Sequence, residues 1–360
     1  MLSLIIALCT SFLITQLIIS AYPIERFNPR ALSTSGIQRF NFKSIPRIGG
    51  VGISIALILG IITHYQIATF SPLLWQLTLL SFIPVAVGLG DDLTGKISIG
   101  TRLLSVCIAA LLVAFLLGIQ ISRTGLPGVD ALLTYSVLSI LVTVFAITGL
   151  TNSYNIIDGM NGLSSMVGLL ALACISYLAL LLGDSELLFL SLILGAAILG
   201  FFILNYPRGH IFLGDGGAYL IGFWIAVLSI WLLNKHSEVS PWFVLLINAY
   251  PITETLFTIY RRLVYKKIHP FIGDRLHLHS LIYRRLLHTN TPKNERDLIV
   301  ANARTAPCLW VFNTLTLIPA VLWWNQTAVL VIFFAIYITC YMWLYRRLVT
   351  FRAPKWISLN

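Results

Sequence analysis

Charge is scarce in this 360-residue chain: Asp, Glu, Lys and Arg make up 10% of it, against 58% hydrophobic residues. A soluble domain carries about 25% charged residues, so a water-soluble fold is excluded. Cysteine is sparse too. The five present (Cys9, Cys107, Cys174, Cys308 and Cys340) lie in or at the edges of apolar stretches and form no C-x-x-C pair, which assigns them to packing. No Lys or Arg precedes the first apolar stretch, Leu2–Ala21. The basic leader of a cleaved signal peptide is therefore missing, and the stretch reads as a retained first helix. Internal repeats, low-complexity tracts and a separate soluble domain are also lacking.

What is present is hydrocarbon-compatible sequence from end to end. About 20 apolar residues suffice to cross about 30 Å of hydrocarbon as a helix. Stretches of that kind fall near 2–21, 48–67, 72–90, 102–120, 131–150, 162–182, 186–204, 216–233, 241–260, 308–324 and 327–345. The expected fold is all-α, a polytopic integral membrane protein of about 11 transmembrane helices forming a single domain over 1–360. The net charge of +11 invites a nucleic-acid reading. The basic residues, however, are scattered over loops without a binding module, and membrane topology accounts for them instead.

With the N-terminus placed away from the cytoplasm, the cytoplasmic segments become 22–47, 91–102, 151–161, 205–215, 261–307 and the tail from Arg346. Of the 24 Lys and Arg residues, only Arg123 and Lys235 then fall on the opposite side, together with Asp130, Asp184, Glu186 and Glu238. Positive residues favour the cytoplasmic side, so this orientation is the expected one, with the C-terminus inside.

That arrangement brings four polar clusters to one face: Asp91-Asp92, Asn152 to Asn161, Gly214-Asp215-Gly216-Gly217, and Asp274 to His279. Polar groups are costly beside hydrocarbon, and several at one depth indicate a shared site. Adjacent carboxylates such as Asp91 and Asp92 repel, so one needs a cation or a proton; Lys96 and Arg102 could counter them or grip a phosphate. Asn152, Asn155, Asp158 and Asn161 supply amide and carboxylate oxygens at spacings of three, with Gly159 and Gly162 permitting a tight backbone path. Hard oxygen donors suit Mg²⁺. The simpler reading, that Asn161 or Asp158 caps the following helix, explains one of the four. Asp215 opens a span, where helix N-termini and glycines favour phosphate; an ordinary capping aspartate is the alternative. His277 and His279, two apart, point together in an extended loop, and with Arg275 nearby they favour anion binding over zinc. His64, His236 and His288 read as incidental. Lys43 and Arg47 either serve topology or reach the same site. Oxygen ligands combined with Lys, Arg and His donors suit phosphoryl transfer between polyanions, where metal bridging and positioning carry catalysis.

In order and spacing, Lys43–Gly50, Asp91-Asp92, Asn152–Leu163, Gly214-Asp215-Gly216 and Arg275–His279 resemble the polyprenyl-phosphate N-acetylhexosamine-1-phosphate transferases, the MraY/WecA family. The resemblance runs from about residue 43 to 285. It implies transfer of a sugar-1-phosphate from a UDP-sugar to undecaprenyl phosphate at a cytoplasmic site of the bacterial inner membrane, with release of UMP. It also implies Mg²⁺, with Mn²⁺ as the alternative ion. Asp215 and Asn155 would hold the metal, and Asp91 or Asp92 would orient or deprotonate the lipid phosphate. Lys43 would contact phosphate, Arg102 would serve the substrate side, and Asn161 would help hold uridine. Arg275, His277 and His279 would bind the donor's diphosphate and sugar. The partners implied are the two substrates and membrane lipid, with no nucleic acid; a homodimer is left open.

Two departures from the family pattern stand out. The branch that uses UDP-MurNAc-pentapeptide carries three consecutive histidines, whereas this chain reads His277-Leu-His279-Ser280. That favours the branch initiating O-antigen or related glycans. Many relatives have Asp where this chain has Asn161. The competing readings are a transporter of an anionic solute or lipid and a non-catalytic membrane scaffold. A transporter would put ionisable groups near the midplane, but the spans are nearly charge-free apart from Glu254.

Overall fold

The computed structural model describes residues 1–21, 45–65, 72–266, 276–289 and 295–350, and every element among them is helical. Helices satisfy all their backbone polar groups within the segment, which hydrocarbon demands. In order they are α1 (Leu2–Ala21), α2 (Gly49–Tyr65), α3 (Leu73–Thr94), α4 (Ile99–Leu116), the short α5 (Pro127–Leu133), α6 (Ser136–Ile157), α7 (Leu163–Leu181), α8 (Ser185–Asn205), α9 (Gly214–Lys235), α10 (Pro241–Ile247) and α11 (Ala249–Tyr260). A π-helical turn, Arg261–Lys266, precedes α12 (Leu278–Thr289), α13 (Glu295–Leu322) and α14 (Thr327–Val349).

The expected count of about eleven spans is not confirmed among the described residues. Among the described residues nine helices are long and apolar enough to cross a membrane, and α10 with α11 make a tenth if the bent pair is one span. The stretch expected as a straight ninth helix is broken at Asn248, and the two parts bend by 78°. Asn248 is buried and bridges the break: its amide donates to the Val244 carbonyl at 3.0 Å, and its Oδ1 accepts from Tyr154 of α6 at 3.0 Å. The second expected span is a helix of 17 residues, at the short end for a crossing. The fifth is displaced: α5 ends at Leu133, and α6 runs on through Ile157. Asn152 and Asn155 therefore sit on the last turns of a helix rather than in a loop.

α9 is the axis of the molecule. Every residue from Gly214 to Leu233 is buried, and α2, α3, α6 and α7 pack around it. Small residues allow that closeness, as is usual between membrane helices. A Cβ on Gly50 would lie 2.4 Å from the Gly217 nitrogen, and one on Gly88 would lie 2.7 Å from the Gly216 nitrogen. Backbone meets backbone at both places, so the α2, α3 and α9 motifs are pressed together at one end.

The other end of α9 carries a separate polar layer. Lys235 donates to Asp184 at 2.9 Å, His236 lies 3.0 Å from the same carboxylate, and Arg123 donates to the carbonyls of Leu233 and His236 at 3.2 and 2.9 Å. His236 is thus a member of an ion cluster, contrary to the expectation that it is incidental. The residues sorted to the non-cytoplasmic side by charge, Arg123, Lys235, Asp184 and Glu186, meet here. At 1.5 Å per residue this layer is about 30 Å from Asp215.

Candidate functional site

The start of α2 is stitched to the start of α9. Phe212 N–H donates to the Pro46 carbonyl at 2.8 Å, and Gly49 and Gly50 N–H donate to the carbonyls of Phe212 and Leu213 at 3.0 and 3.1 Å. No side chain of α9 itself caps its N-terminus. Asp92, from the end of α3, does so instead. Its Oδ1 and Oδ2 accept the Asp215 and Gly216 N–H groups, each at 2.9 Å. The capping role considered for Asp215 belongs to Asp92, and a carboxylate at a helix N-terminus is favoured by the dipole.

Asp91 faces the other way. It is fully buried; its Oδ1 accepts the Ile97 N–H at 3.1 Å, and its Oδ2 lies 3.0 Å from Arg102 Nη1. Ser98 caps α4, taking the Thr101 N–H at 3.1 Å, and so sets Arg102 on the first turn. The same guanidinium nitrogen hydrogen-bonds Asp215 Oδ2. One cation thus lies between two carboxylates that are 124 residues apart in the chain. Of the two basic candidates near Asp91, Arg102 is the partner, and Lys96 is exposed.

α6 supplies the fourth side. Asn155 donates its amide to Asp215 Oδ1 at 3.0 Å, and Asn152 lies one turn earlier and is partly exposed. Asp158 follows the helix end, within electrostatic reach of Arg47 and Asp92. Enclosure by protein pushes its carboxyl well above the usual range. The Arg47 charge opposes that shift and Asp92 adds to it. Arg47 therefore does reach the site.

Asn161 is placed differently. Its N–H donates to Asn302 Oδ1 of α13 at 2.9 Å, its amide donates to the Pro207 carbonyl at 3.2 Å, and its Oδ1 is buried without a hydrogen-bond partner. It fastens the α6–α7 loop to the α8–α9 loop and is not bonded to the Arg102 cluster. Neither Asp158 nor Asn161 caps α7; Gly162 holds that position with φ 72° and no side-chain cap.

The two late histidines join the face through α12. His277 and His279 stack with ring centroids 5.4 Å apart and an interplanar angle of 11°. His279 is 3% exposed and lies over Gly159, where a Cβ would come 2.3 Å from its Nε2. Gly159 is therefore the cradle for His279, beside Asp158. Glu254 of α11 anchors this arrangement from below, a role composition did not reveal. The available signal was its isolation, as a lone carboxylate inside an apolar span. The expectations for Lys43 and Arg275 lie outside the described residues.

Asp91 and Asp215 share one cation, with Asn155 bonded to Asp215 and Asp158 close by. Mg²⁺ generally takes one or two carboxylates and completes its shell with water and substrate phosphates. Among the described residues no group of three or more His, Cys, Asp or Glu side chains is arranged to hold a metal, and a two-carboxylate site completed by phosphate does not need one. The donor set fits the ion in kind, and Asp215 is engaged by Arg102 in this structure. An apolar cavity of about 210 Å³ borders the cluster, lined by Val51, Phe82, Val85 and Leu89 and reaching Asp92 and Gly216.

Helices α3, α4, α6 and α9 thus define a polytopic helical membrane protein with a cluster of carboxylates, one amide and one guanidinium at one end of its bundle. The model for glycosyl transferase family 4 matches residues 74–233, which hold Asp91, Asp92, Arg102, Asn155 and Asp215. A probable undecaprenyl-phosphate N-acetylglucosaminyl 1-phosphate transferase of Bacillus subtilis (strain 168) is 30% identical over 250 residues, covering 67% of this chain and 66% of the relative. An undecaprenyl-phosphate alpha-N-acetylglucosaminyl 1-phosphate transferase of Escherichia coli (strain K12) is 34% identical over 152 residues, 40% of each chain. Its namesake from Yersinia pestis is 28% identical over 307 residues, 82% of this chain and 80% of the relative. The chain belongs to glycosyl transferase family 4. It spans slightly less than two thirds of the Bacillus subtilis relative and two fifths of the Escherichia coli one.

Proposed function

We propose that this protein transfers N-acetylhexosamine-1-phosphate, with N-acetylglucosamine as the favoured sugar, from a UDP-sugar to undecaprenyl phosphate. The observation that carries the reading is Arg102 held between Asp91 and Asp215 at the end of a fully buried helix. Charge concentrated there, next to an apolar cavity, suits a reaction in which a lipid phosphate meets a soluble diphosphate. The names of the relatives point to the same lipid acceptor and to an N-acetylglucosaminyl 1-phosphate group.

An oxygen of the lipid phosphate attacks the sugar-bearing phosphorus of the donor. A new P–O bond forms, the bond from that phosphorus to the bridging oxygen breaks, and the electron pair leaves with UMP. A phosphate monoester has a second pKa near about 6, so much of the acceptor is already dianionic at neutral pH and orientation matters more than deprotonation. Asp92 is engaged in capping α9 and serves by placing Asp215. Arg102 offers its charge to the reacting phosphates. Mg²⁺, when bound by Asp215 and Asn155, supplies the neutralisation of developing charge that phosphoryl transfer requires. His277 and His279 meet the donor from the Gly159 side. The cluster faces the cytoplasm, where UDP-sugars are made, and the far layer at Asp184 faces the periplasm. The product enters O-antigen or related envelope glycan assembly.

Purified protein given undecaprenyl phosphate and UDP-N-acetylglucosamine should release UMP, and EDTA should stop it until Mg²⁺ is restored. Asp215→Asn should abolish release with helicity unchanged. A panel of UDP-N-acetylhexosamines yielding no metal-dependent UMP would overturn the proposal.

A further inference from the structure

A carboxylate inside a membrane span is held at a cost and needs a use. Glu254 is fully buried, and the structure surrounds it with donors. Leu278 N–H, at the first turn of α12, donates to Oε1 at 3.1 Å and to Oε2 at 3.2 Å. Tyr341 of α14 donates its hydroxyl to Oε2 at 3.0 Å. His277 Nδ1 lies 3.1 Å from Oε1, with Thr258 Oγ1 3.3 Å from the same nitrogen. With an N–H and an O–H already directed at it, the carboxylate acts as acceptor, so the proton between Glu254 and His277 belongs to the imidazole.

Resting on the transferase reading above, we infer that Glu254 is a positioning residue for donor recognition: it holds His277 in the Nδ1–H tautomer and leaves Nε2 as the acceptor nitrogen for a hydroxyl or acetamido N–H of the sugar. A ring nitrogen's role is set by the hydrogen bond its partner nitrogen makes, and such outer contacts typically carry 10- to 100-fold in activity. The stack of His277 on His279, and of His279 on Gly159, passes that orientation to the face shared with Asp158. By this assignment His277 reads the sugar, while Arg102 and the metal address the phosphates. Tyr341 and the Leu278 N–H keep the carboxylate from rotating away.

The test has two arms. In protein labelled with ¹⁵N-histidine, the His277 resonances, assigned by their loss in His277→Gln, should show the proton on Nδ1 in the substrate-free wild type. A proton on Nε2 there would overturn the inference, and this arm requires no activity. In the second arm, Glu254→Gln cannot accept all the same bonds. Its His277 should move toward the Nε2–H tautomer, and KM for the UDP-sugar should rise about 10- to 100-fold with KM for undecaprenyl phosphate unchanged. Unaltered donor KM, or equal losses for both substrates, would count against it. Wild-type protein in the same assay separates this outcome from failure of the transferase reading, which would appear as no UMP from the wild type at all.

Discussion

Asp92 and Asp215 meet through one side chain and one backbone: the Asp92 carboxylate takes the Asp215 N–H at 2.9 Å and the Gly216 N–H at 2.9 Å. The last turn of α3 therefore sets the height of α9, and with it the position of the Asp215 carboxylate against Arg102. Removing a helix cap usually costs about 0.5–2 kcal/mol. Asp92→Ala should lower thermal stability by that order and reduce turnover strongly, because Asp215 loses its placement. Asp92→Asn, which keeps one acceptor oxygen, should retain more stability than Asp92→Ala. Equal melting temperatures for the wild type and both variants would show that the cap is dispensable.

Arg102 is the shared cation of two carboxylates, one of them fully buried. Taking one partner from a buried ion pair typically costs about 3–5 kcal/mol, since a charge is left without compensation. Arg102→Ala should therefore both unfold at lower temperature and lose activity. Pairing it with Asp91→Asn should recover much of the stability and none of the turnover. Thermal melts of the single and double variants in detergent provide the measurement.

Gly159 touches the His279 ring where any Cβ would overlap it. Gly159→Ala forces His279, which is itself buried, to retreat. Overpacking of this kind costs about 1–3 kcal/mol. The expected signature is a raised KM for the UDP-sugar with little change for the lipid acceptor. Initial-rate measurements with each substrate varied in turn would expose an error here.

The far layer gives a pH dependence. Burial alone would raise the Asp184 carboxyl, but the Lys235 hydrogen bond, the Leu187 N–H and His236 together hold it below its ordinary range. A carboxyl depressed in the folded state stabilises the fold above its unfolded pKa of about 3.9, and that contribution disappears as pH falls through the folded value. Asp184→Asn should thus be less stable than the wild type at neutral pH, by about 1 kcal/mol given the exposure of Lys235. The gap should close as pH drops below about 4. A difference that stays constant from pH 7 to pH 3 would contradict this account.

The membrane class was legible in the residues, and so was the convergence of Asp91, Asp92, Arg102, Asn155 and Asp215, whereas the place of Asn161 and the part of Glu254 were not. Carboxylates, amides and glycines interrupting hydrocarbon-length runs leave few other meanings, and positive charge sorts to one side. Span geometry was less legible. A hydropathy run cannot distinguish a straight helix from one broken at Asn248, because both bury the same apolar side chains. Nor does it show that Asn152 and Asn155 lie on a helix, since α6 continues past the end of its apolar stretch.

Which atom serves which purpose was decided only by tertiary packing. Asp91 and Asp92 are neighbours of identical chemistry, yet one pairs with Arg102 and the other caps α9. Their side chains leave the helix about 100° apart, and only the placement of α4 and α9 gives those two directions different partners. Glu254 becomes an anchor for His277 for the same reason. Residue types set what the cluster could do; the close approach of Gly50 and Gly88 to the first turn of α9 decided which side chains would meet there.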